Sequence, residues 1–286
     1  MKRTVFTVLL GITIVIQPVF LAGQGFGGAG DGFAGLDRIF DPSNQSFTPE
    51  DEYFLGRAVA ANILATYRPY TQNRQLILYL NSICQTLVIN SSRPEIFNGY
   101  HVMILDSPEY NAFATPGGHI LVTRGLVEAA TSEDTLAAII AHELAHIILR
   151  HGISMIDDMK INEDIAAMAR QAAAFAGPGN PGAQRALAMR NSVSGIIDTM
   201  LKNGYSRPQE FEADKSAVAL LAAAGYDPNA MVDILRILQR LQSGQRGGFN
   251  STHPSPAERL ANVGSPGLLY RVPDTRSYRI NRFINK

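Results

Sequence analysis

The residues best suited to chemistry in this sequence form one short run, His142-Glu143-Leu144-Ala145-His146. A helix advances by about 100° per residue, so two histidines four positions apart project about 40° from one another. Both imidazoles can therefore reach one metal ion, and Glu143 is close enough to act on a water held by that ion. The run predicts one Zn²⁺ per chain, with His142 and His146 as ligands and Glu143 as a general base for hydrolysis.

The segment that carries this run predicts a buried helix. Thr131-Ser132-Glu133-Asp134 is a capping pattern, and Gly152 is expected to end a helix of roughly 18 to 20 residues. The helix is apolar around almost its whole circumference, so its histidines carry a desolvation cost that a metal would remove. The alternative is a pair of core histidines that form hydrogen bonds to neighbouring parts of the chain. His151 projects opposite His142 and is expected to complement the helix dipole rather than bind zinc.

A third metal ligand must come from elsewhere in the chain. The metzincin class would place a glycine at 149 and a histidine at 152, but the sequence has Leu149 and Gly152, which excludes that class. The favoured third ligand is Glu210. Glu163 ranks second, because the stretch around it is polar and Ala167 stands where a supporting aspartate would lie. With Glu163 as ligand, the chain would be a thermolysin-like secreted protease.

Glu210 and Asp214 are predicted to share the inward face of a helix that Ser206 caps and Gly225 ends. Two carboxylates on an apolar face need partners. We expect Glu210 to bind zinc and Asp214 to accept a hydrogen bond from the second ring nitrogen of a ligand histidine, which fixes the tautomer of that histidine. The alternative is a helix ion-paired to nearby arginines. Glu212 points away from this face and is expected to be solvated.

The rest of the sequence predicts an α+β fold that is mainly helical. Helices are expected at residues 48–67 and 72–88, in addition to those that carry the candidate ligands. Three extended segments, at 100–105, 111–114 and 119–123, are rich in strand-forming residues and are separated by turn residues. They predict one small sheet that is antiparallel in part.

The overall composition narrows the class of protein. The chain has 286 residues, of which 46% are hydrophobic and 17% charged, so it can bury a sizeable core. Its 25 basic and 25 acidic residues cancel, which leaves no net field to attract nucleic acid. Cys84 is the one cysteine, so no disulfide can form within the chain, and we expect a buried structural thiol.

The N-terminal residues have the pattern of an export signal. Lys2 and Arg3 precede an uncharged apolar run, and small residues follow at Ala22 and Gly23. Removal of this leader near residue 23 is favoured over its retention as a membrane anchor, because the run is short for a membrane span. The expected organisation is a signal peptide at 1–23, a Gly-rich linker at 24–47, a zinc metallopeptidase domain at 48–265 and a basic tail at 266–286. The tail is expected to be solvated, with contact to anionic membrane as the alternative.

Three segments together resemble a known peptidase family. They are the run at 142–146, the stretch from Tyr205 to Asp214, and Asn111-Ala112-Phe113-Ala114-Thr115-Pro116-Gly117-Gly118. They are similar to the HtpX and CAAX-prenyl-protease type of gluzincin, and in particular to its exported BepA-like members in outer-membrane quality control. The resemblance implies a zinc metalloendopeptidase of the periplasm that acts on unfolded or misassembled envelope proteins.

The resemblance also has implications for the cleft. The strand after Gly118 should edge the cleft, and a substrate backbone should pair with it as an added strand. The resemblance places His253 near the zinc, either in the open coordination position at rest or as a catalytic donor to the oxyanion; an ordinary loop histidine is the alternative. Arg259 is a weaker candidate for the same electrostatic role.

Two features depart from the family pattern. The several transmembrane helices of HtpX and the prenyl proteases are not expected here. Since only about twenty residues follow Pro266, neither is the C-terminal helical-repeat domain of BepA itself. A rival hypothesis is a chaperone or assembly factor whose zinc site is structural or gated shut.

Overall fold

The computed structural model describes residues 47–158, 204–242, 253–270 and 275–284. The predicted signal peptide, nearly all of the Gly-rich linker and Glu163 lie outside these described residues. Within the described ranges, no helix combines the length and the apolar character that a membrane span requires.

The described residues form nine α-helices and three β-strands. The helices are α1 Pro49–Thr66, α2 Arg74–Val88, α3 Arg124–Ala129, α4 Glu133–Ile148, α5 His151–Asp158, α6 Arg207–Ala223, α7 Ala230–Gln242, α8 Pro256–Val263 and α9 Arg276–Ile284. The strands are β1 His101–Leu105, β2 Ala112–Thr115 and β3 His119–Thr123. The prediction of a mainly helical α+β fold with one small sheet is therefore confirmed.

The sheet has the strand order β1-β3-β2. β3 pairs in parallel with β1 and antiparallel with β2, which confirms the prediction that the sheet is antiparallel in part. The expectation that the strand after Gly118 edges the cleft is wrong, because that strand is β3 and both of its sides are paired. β2 is the edge strand that packs against α4.

Helix α4 lies at the centre of the described fold. Ser132 caps its first turn, and every residue from Glu133 to Ile147 is buried. The prediction that Gly152 ends this helix is wrong: α4 ends at Ile148, and Gly152 lies inside α5. The break falls at Arg150, whose φ is 57°. This left-handed residue turns the chain so that α5 can begin at once.

Helix α4 is held by neighbours on several sides. α6, α7 and α2 pack along its length. At its N-terminus, Arg282 of α9 pairs with the buried Glu133, and Nε of Arg279 lies 2.9 Å from Asp134. Both arginines belong to the segment predicted to be a solvated basic tail, and here they neutralise the acids at the start of α4. For Arg279 the prediction of a solvated side chain is wrong, because this residue is buried.

Helix α1 positions the strands of the sheet by packing on the turn between β2 and β3. Thr48 and Asp51 form a capping box at its start. Gly56 lies against the carbonyl of Pro116, where a Cβ would be only 1.7 Å from the oxygen. Gly117 has a φ of 71°, and a Cβ there would lie 2.3 Å from Cα of Tyr53. The two glycines permit a contact between backbones that no side chain would allow.

Because of this contact, we expect Gly117→Ala to lower the free energy of unfolding by about 2–4 kcal/mol, from left-handed strain combined with overpacking. Gly225→Ala is the matched control, since Gly225 also has a positive φ of 80° but nothing lies within 4 Å of the added Cβ. It should lose only about 1–2 kcal/mol. Urea unfolding curves measure both changes, and equal losses would show that the packing of α1 on this turn contributes little.

Candidate metal centre

Two helices bring together the three side chains that the sequence predicts as metal ligands. His142 and His146 project from α4, and Glu210 projects from the first turn of α6. The Nε2 atoms of the two histidines are 3.2 Å apart, and each lies 3.5 Å from an oxygen of Glu210. Ligand atoms in a tetrahedral zinc site, with bonds of about 2.0–2.1 Å, lie about 3.3–3.4 Å from one another. The three atoms therefore have the spacing of a metal-binding triad.

His253 completes a cluster of four buried groups. Its Nδ1 lies 2.8 Å from both oxygens of Glu210. One ligand atom from each of His142, His146, Glu210 and His253 lies within 4.8 Å of all the others. The loop before α8 thus carries His253 to the cluster and not to open solvent.

The environment of the cluster favours the protonation states that bind a metal. Burial alone would raise the pKa of Glu210, but the charge of His253 and the hydrogen bonds from His142 and His253 lower it well below its usual value. Burial lowers the pKa of His146 well below its usual value. A carboxylate and a neutral imidazole are the forms that coordinate metals.

The pKa of His142 is set by a different balance of effects. Burial and the charge of Arg259 act to lower its pKa, yet the hydrogen bonds with Asp214 and Glu210 outweigh them and raise it to about 9. A metal bound at Nε2 has to take the place of one ring proton, so binding at this histidine is coupled to proton release.

Asp214 and Arg259 form the outer support of His142. Oδ1 of Asp214 lies 3.0 Å from Nδ1 of His142, the contact expected of a carboxylate that fixes the tautomer of a metal ligand. Arg259 binds both oxygens of Asp214, at 3.0 Å through Nε and 2.6 Å through Nη2. The alternative hypothesis, in which the acids of this helix pair with nearby arginines, therefore also holds for Asp214. Arg259, considered for the oxyanion, lies instead behind His142, with Nη2 3.1 Å from its Nδ1.

The outer support of His146 comes from His151, for which the sequence predicted another role. Its Nδ1 lies 2.9 Å from Nδ1 of His151, a residue that is only 3% exposed. The prediction that His151 serves the dipole of α4 is wrong, since α4 ends before it and the helical wheel no longer applies. Nε2 of His151 lies 3.4 Å from Oε2 of Glu212. Glu212 is mostly exposed, as predicted, with 61% of its side chain accessible, but it also serves as the partner of His151.

Tyr205 connects the cluster to the sheet. Its ring stacks on that of His146, with centroids 4.0 Å apart and planes at 14°. Its hydroxyl donates to the carbonyl oxygen of Ala114 in β2 at 3.1 Å. The outer edge of β2 therefore lies beside a candidate metal ligand. No separate role was predicted for Tyr205, and its position just before the cap of α6 was the one signal available.

Glu143 lies one residue from the first histidine and is almost completely buried. Its Oε2 has no hydrogen-bond partner among the described residues. Burial raises the pKa of Glu143, which the charges of His142 and His253 partly oppose. A buried carboxylate with an unused oxygen is a strong proton acceptor for any polar molecule that enters beside it.

Comparison with known proteins supports this chemistry. The β-barrel assembly-enhancing protease of Escherichia coli (strain K12) is 27% identical over 197 residues, which cover 68% of this chain and 39% of that protein. The mitochondrial metalloendopeptidase OMA1 of Schizosaccharomyces pombe is 28% identical over 208 residues, or 70% of this chain and 54% of the relative. The metalloprotease LoiP of Escherichia coli (strain K12) is 29% identical over 155 residues, or 54% and 58%. The chain spans less than two thirds of the length of each of these relatives.

A family model described as peptidase family M48 matches residues 75–266. The match covers more than half of the chain and includes all four side chains of the cluster. The resemblance to metallopeptidases that the three sequence segments predicted is thereby confirmed. The chain belongs to peptidase family M48.

Proposed function

We propose that this protein is a zinc-dependent endopeptidase that hydrolyses peptide bonds in unfolded or misassembled proteins. One observation carries the proposal: three ligand atoms at tetrahedral spacing lie beside Glu143, a buried carboxylate whose Oε2 has no partner among the described residues. Metal ligands supported by outer hydrogen bonds and an adjacent unpaired base are the requirements of metal-assisted hydrolysis.

A zinc ion held by His142, His146 and Glu210 would supply Lewis acidity, which would polarise a scissile carbonyl and acidify water. Glu143 removes the proton from the attacking water, and its raised pKa suits it to hold that proton. The same carboxyl then delivers the proton to the leaving amine. Asp214 holds the ring of His142 in position throughout, and Arg259 prevents Asp214 from turning away.

The outer edge of β2, which no other described strand covers, supplies a binding surface for the substrate backbone. Thr123 donates its backbone N–H to the carbonyl of Asn111, so Asn111 and Thr123 are a hydrogen-bonded pair of the β2–β3 ladder. In an antiparallel pair the residues alternate, so Ala112 and Ala114 direct their N–H and C=O groups away from β3. The N–H of Ala112 is bound to Oδ1 of Asn111 and the carbonyl of Ala114 to the hydroxyl of Tyr205, so a substrate would pair with the carbonyl of Ala112 and the N–H of Ala114. An extended peptide can pair there as an added strand. Folded proteins rarely offer a free extended segment, so this geometry favours unfolded substrates.

The compartment is also part of the proposal. The basic and apolar pattern of the N-terminal residues supports export, with the periplasm as the destination and a role in the quality control of envelope proteins. Among the relatives, one carries β-barrel assembly in its name and another is mitochondrial.

A second candidate function is that of an assembly factor with a structural or gated zinc site. Structural zinc sites are closed by four protein ligands, and His253 could supply a fourth. What favours the peptidase is the pairing in the structure, where Nδ1 of His253 is directed at both oxygens of Glu210. A histidine engaged with a ligand can leave one coordination position to water and substrate.

The role of Glu143 predicts that Glu143→Gln retains one zinc per chain but reduces casein cleavage by at least about 10³-fold, since it cannot accept the proton. Glu128→Gln, at an exposed carboxylate in α3, is the control and should cleave like the parent. Zinc content by mass spectrometry and cleavage by gel assay measure the two effects. Retained cleavage in Glu143→Gln would remove Glu143 from the mechanism.

The role of Glu210 predicts that Glu210→Gln weakens zinc binding by at least about tenfold, because a charged ligand becomes a neutral amide. Glu163→Gln serves as the matched variant and should bind zinc like the parent. Chelator competition gives both affinities. The reverse pattern, with loss only in Glu163→Gln, would transfer the third ligand to Glu163.

The role of His253 separates the two candidate functions. If the protein is a peptidase, the zinc affinity of the His253→Ala variant should lie within about threefold of the parental affinity, because three protein ligands suffice for a catalytic site. A fall of several orders of magnitude would instead identify a closed structural site. With zinc retained, higher casein cleavage would assign His253 to gating, whereas lower cleavage would assign it to the reaction.

A further inference from the structure

The two histidines of the metal cluster have unequal supports behind them. Nδ1 of His142 faces a carboxylate, Asp214, whose charge Arg259 balances. Nδ1 of His146 faces another histidine, His151, at 2.9 Å. Metal-ligand histidines usually donate this second N–H to a carboxylate, a carbonyl or water. A ring nitrogen in that position needs an explanation.

The donor and acceptor of each hydrogen bond behind His146 can be assigned one after the other. Nε2 of His146 faces His142 and Glu210, so for metal binding it must be unprotonated. The ring proton of His146 is then on Nδ1, and Nδ1 of His151 must accept it. His151 in turn carries its own proton on Nε2, which faces Oε2 of Glu212 at 3.4 Å. One consistent set of tautomers links all three residues.

We propose that His151 is a positioning residue for the metal: its Nδ1 accepts the Nδ1–H of His146 and so selects the tautomer that presents Nε2 to the ion. The inference rests on the proposed metal site. His151 need not touch the metal, the water or the substrate to perform this role.

The surrounding structure holds His151 in the required place. Arg150, with its φ of 57°, breaks the helix one residue earlier and thereby turns the His151 ring back toward α4. Nε of Arg150 lies 2.9 Å from the buried carboxylate of Glu52, which also binds Arg93 at 3.0 Å. These ion pairs join α1 to the end of α4 and fix the break.

Tyr205 restricts His146 from another direction. Stacking at 4.0 Å and 14° limits rotation of the imidazole out of its plane. It leaves open which ring nitrogen carries the proton. The two contacts therefore have different effects, because Tyr205 sets the plane of the ring and His151 sets the tautomer.

The test compares zinc affinities by chelator competition in the full chain. His151→Asn places an oxygen where Nδ1 was and should bind zinc within about threefold of the parent. His151→Gln carries its amide farther out, toward Glu212, and His151→Leu has no acceptor at all. Both should weaken zinc binding by about 10–100-fold. His101→Leu, at an exposed histidine in β1, is the control and should leave the affinity unchanged.

A spectroscopic measurement accompanies the affinities. With Co²⁺ in place of zinc, the visible absorption bands of the Asn variant should coincide with those of the parent, and those of the Gln variant should shift. Equal affinities in all three His151 variants would overturn the inference, and so would equal weakening of Asn and Gln. If the Leu variant fails to fold, the Asn and Gln pair still decides.

These affinities also distinguish this inference from the proposed function. A parent that binds zinc but does not cleave casein contradicts the peptidase proposal alone, because the His151 comparison needs no cleavage. A parent that binds neither zinc nor Co²⁺ overturns both.

Discussion

The structure depends on one constraint, which is that polar groups on a buried helix need partners; on α4, only Oε2 of Glu143 is without one among the described residues. Helix α4 places two imidazoles and a carboxylate in the interior of the protein, where an unsatisfied polar atom costs about 1–3 kcal/mol. Most of the surrounding architecture supplies those partners. α6 contributes Glu210 and Asp214, the loop before α8 contributes His253, and α5 contributes His151.

The same constraint acts at the ends of the helix. Glu133 and Asp134 in its first turn interact favourably with the helix dipole. Because both acids are buried, they also need partners, and two arginines of α9 pair with them. At the other end, Nη1 of Arg93 approaches the carbonyl of Ile147 at 3.4 Å while its Nη2 binds Glu52. Because both ends are fixed, the rings in the middle are held at a spacing that suits one ion. The close contact of α1 with the Pro116–Gly118 turn fixes the position of the β2 edge relative to these rings.

The parts of the site that depend on local periodicity could be predicted from the sequence. His142 and His146, and likewise Glu210 and Asp214, lie four residues apart on apolar helices, so their shared direction can be deduced without tertiary information. The size and mixed pairing of the sheet could be deduced as well. The strand order could not, because the central place of β3 depends on its pairing with β1, which is distant in sequence.

Long-range contacts also explain the other errors. A glycine is the usual signal for the end of a helix, but here the break after α4 falls at Arg150, which is held by Glu52, about a hundred residues earlier in the chain. The role of His151 follows from that break and was hidden for the same reason. Tyr205 contacts both β2 and His146, and no local sequence pattern indicates that these parts of the chain lie close together.

Helices α4 and α6 are proposed to hold one zinc ion through His142, His146 and Glu210, and every other functional assignment rests on that ion. Anomalous diffraction from crystals of the purified protein, recorded above and below the zinc absorption edge, locates it. We expect one anomalous peak per chain, about 2.0–2.2 Å from Nε2 of both histidines and from an oxygen of Glu210. A peak bound elsewhere, or one beside the histidines with Glu210 turned away, would contradict this assignment.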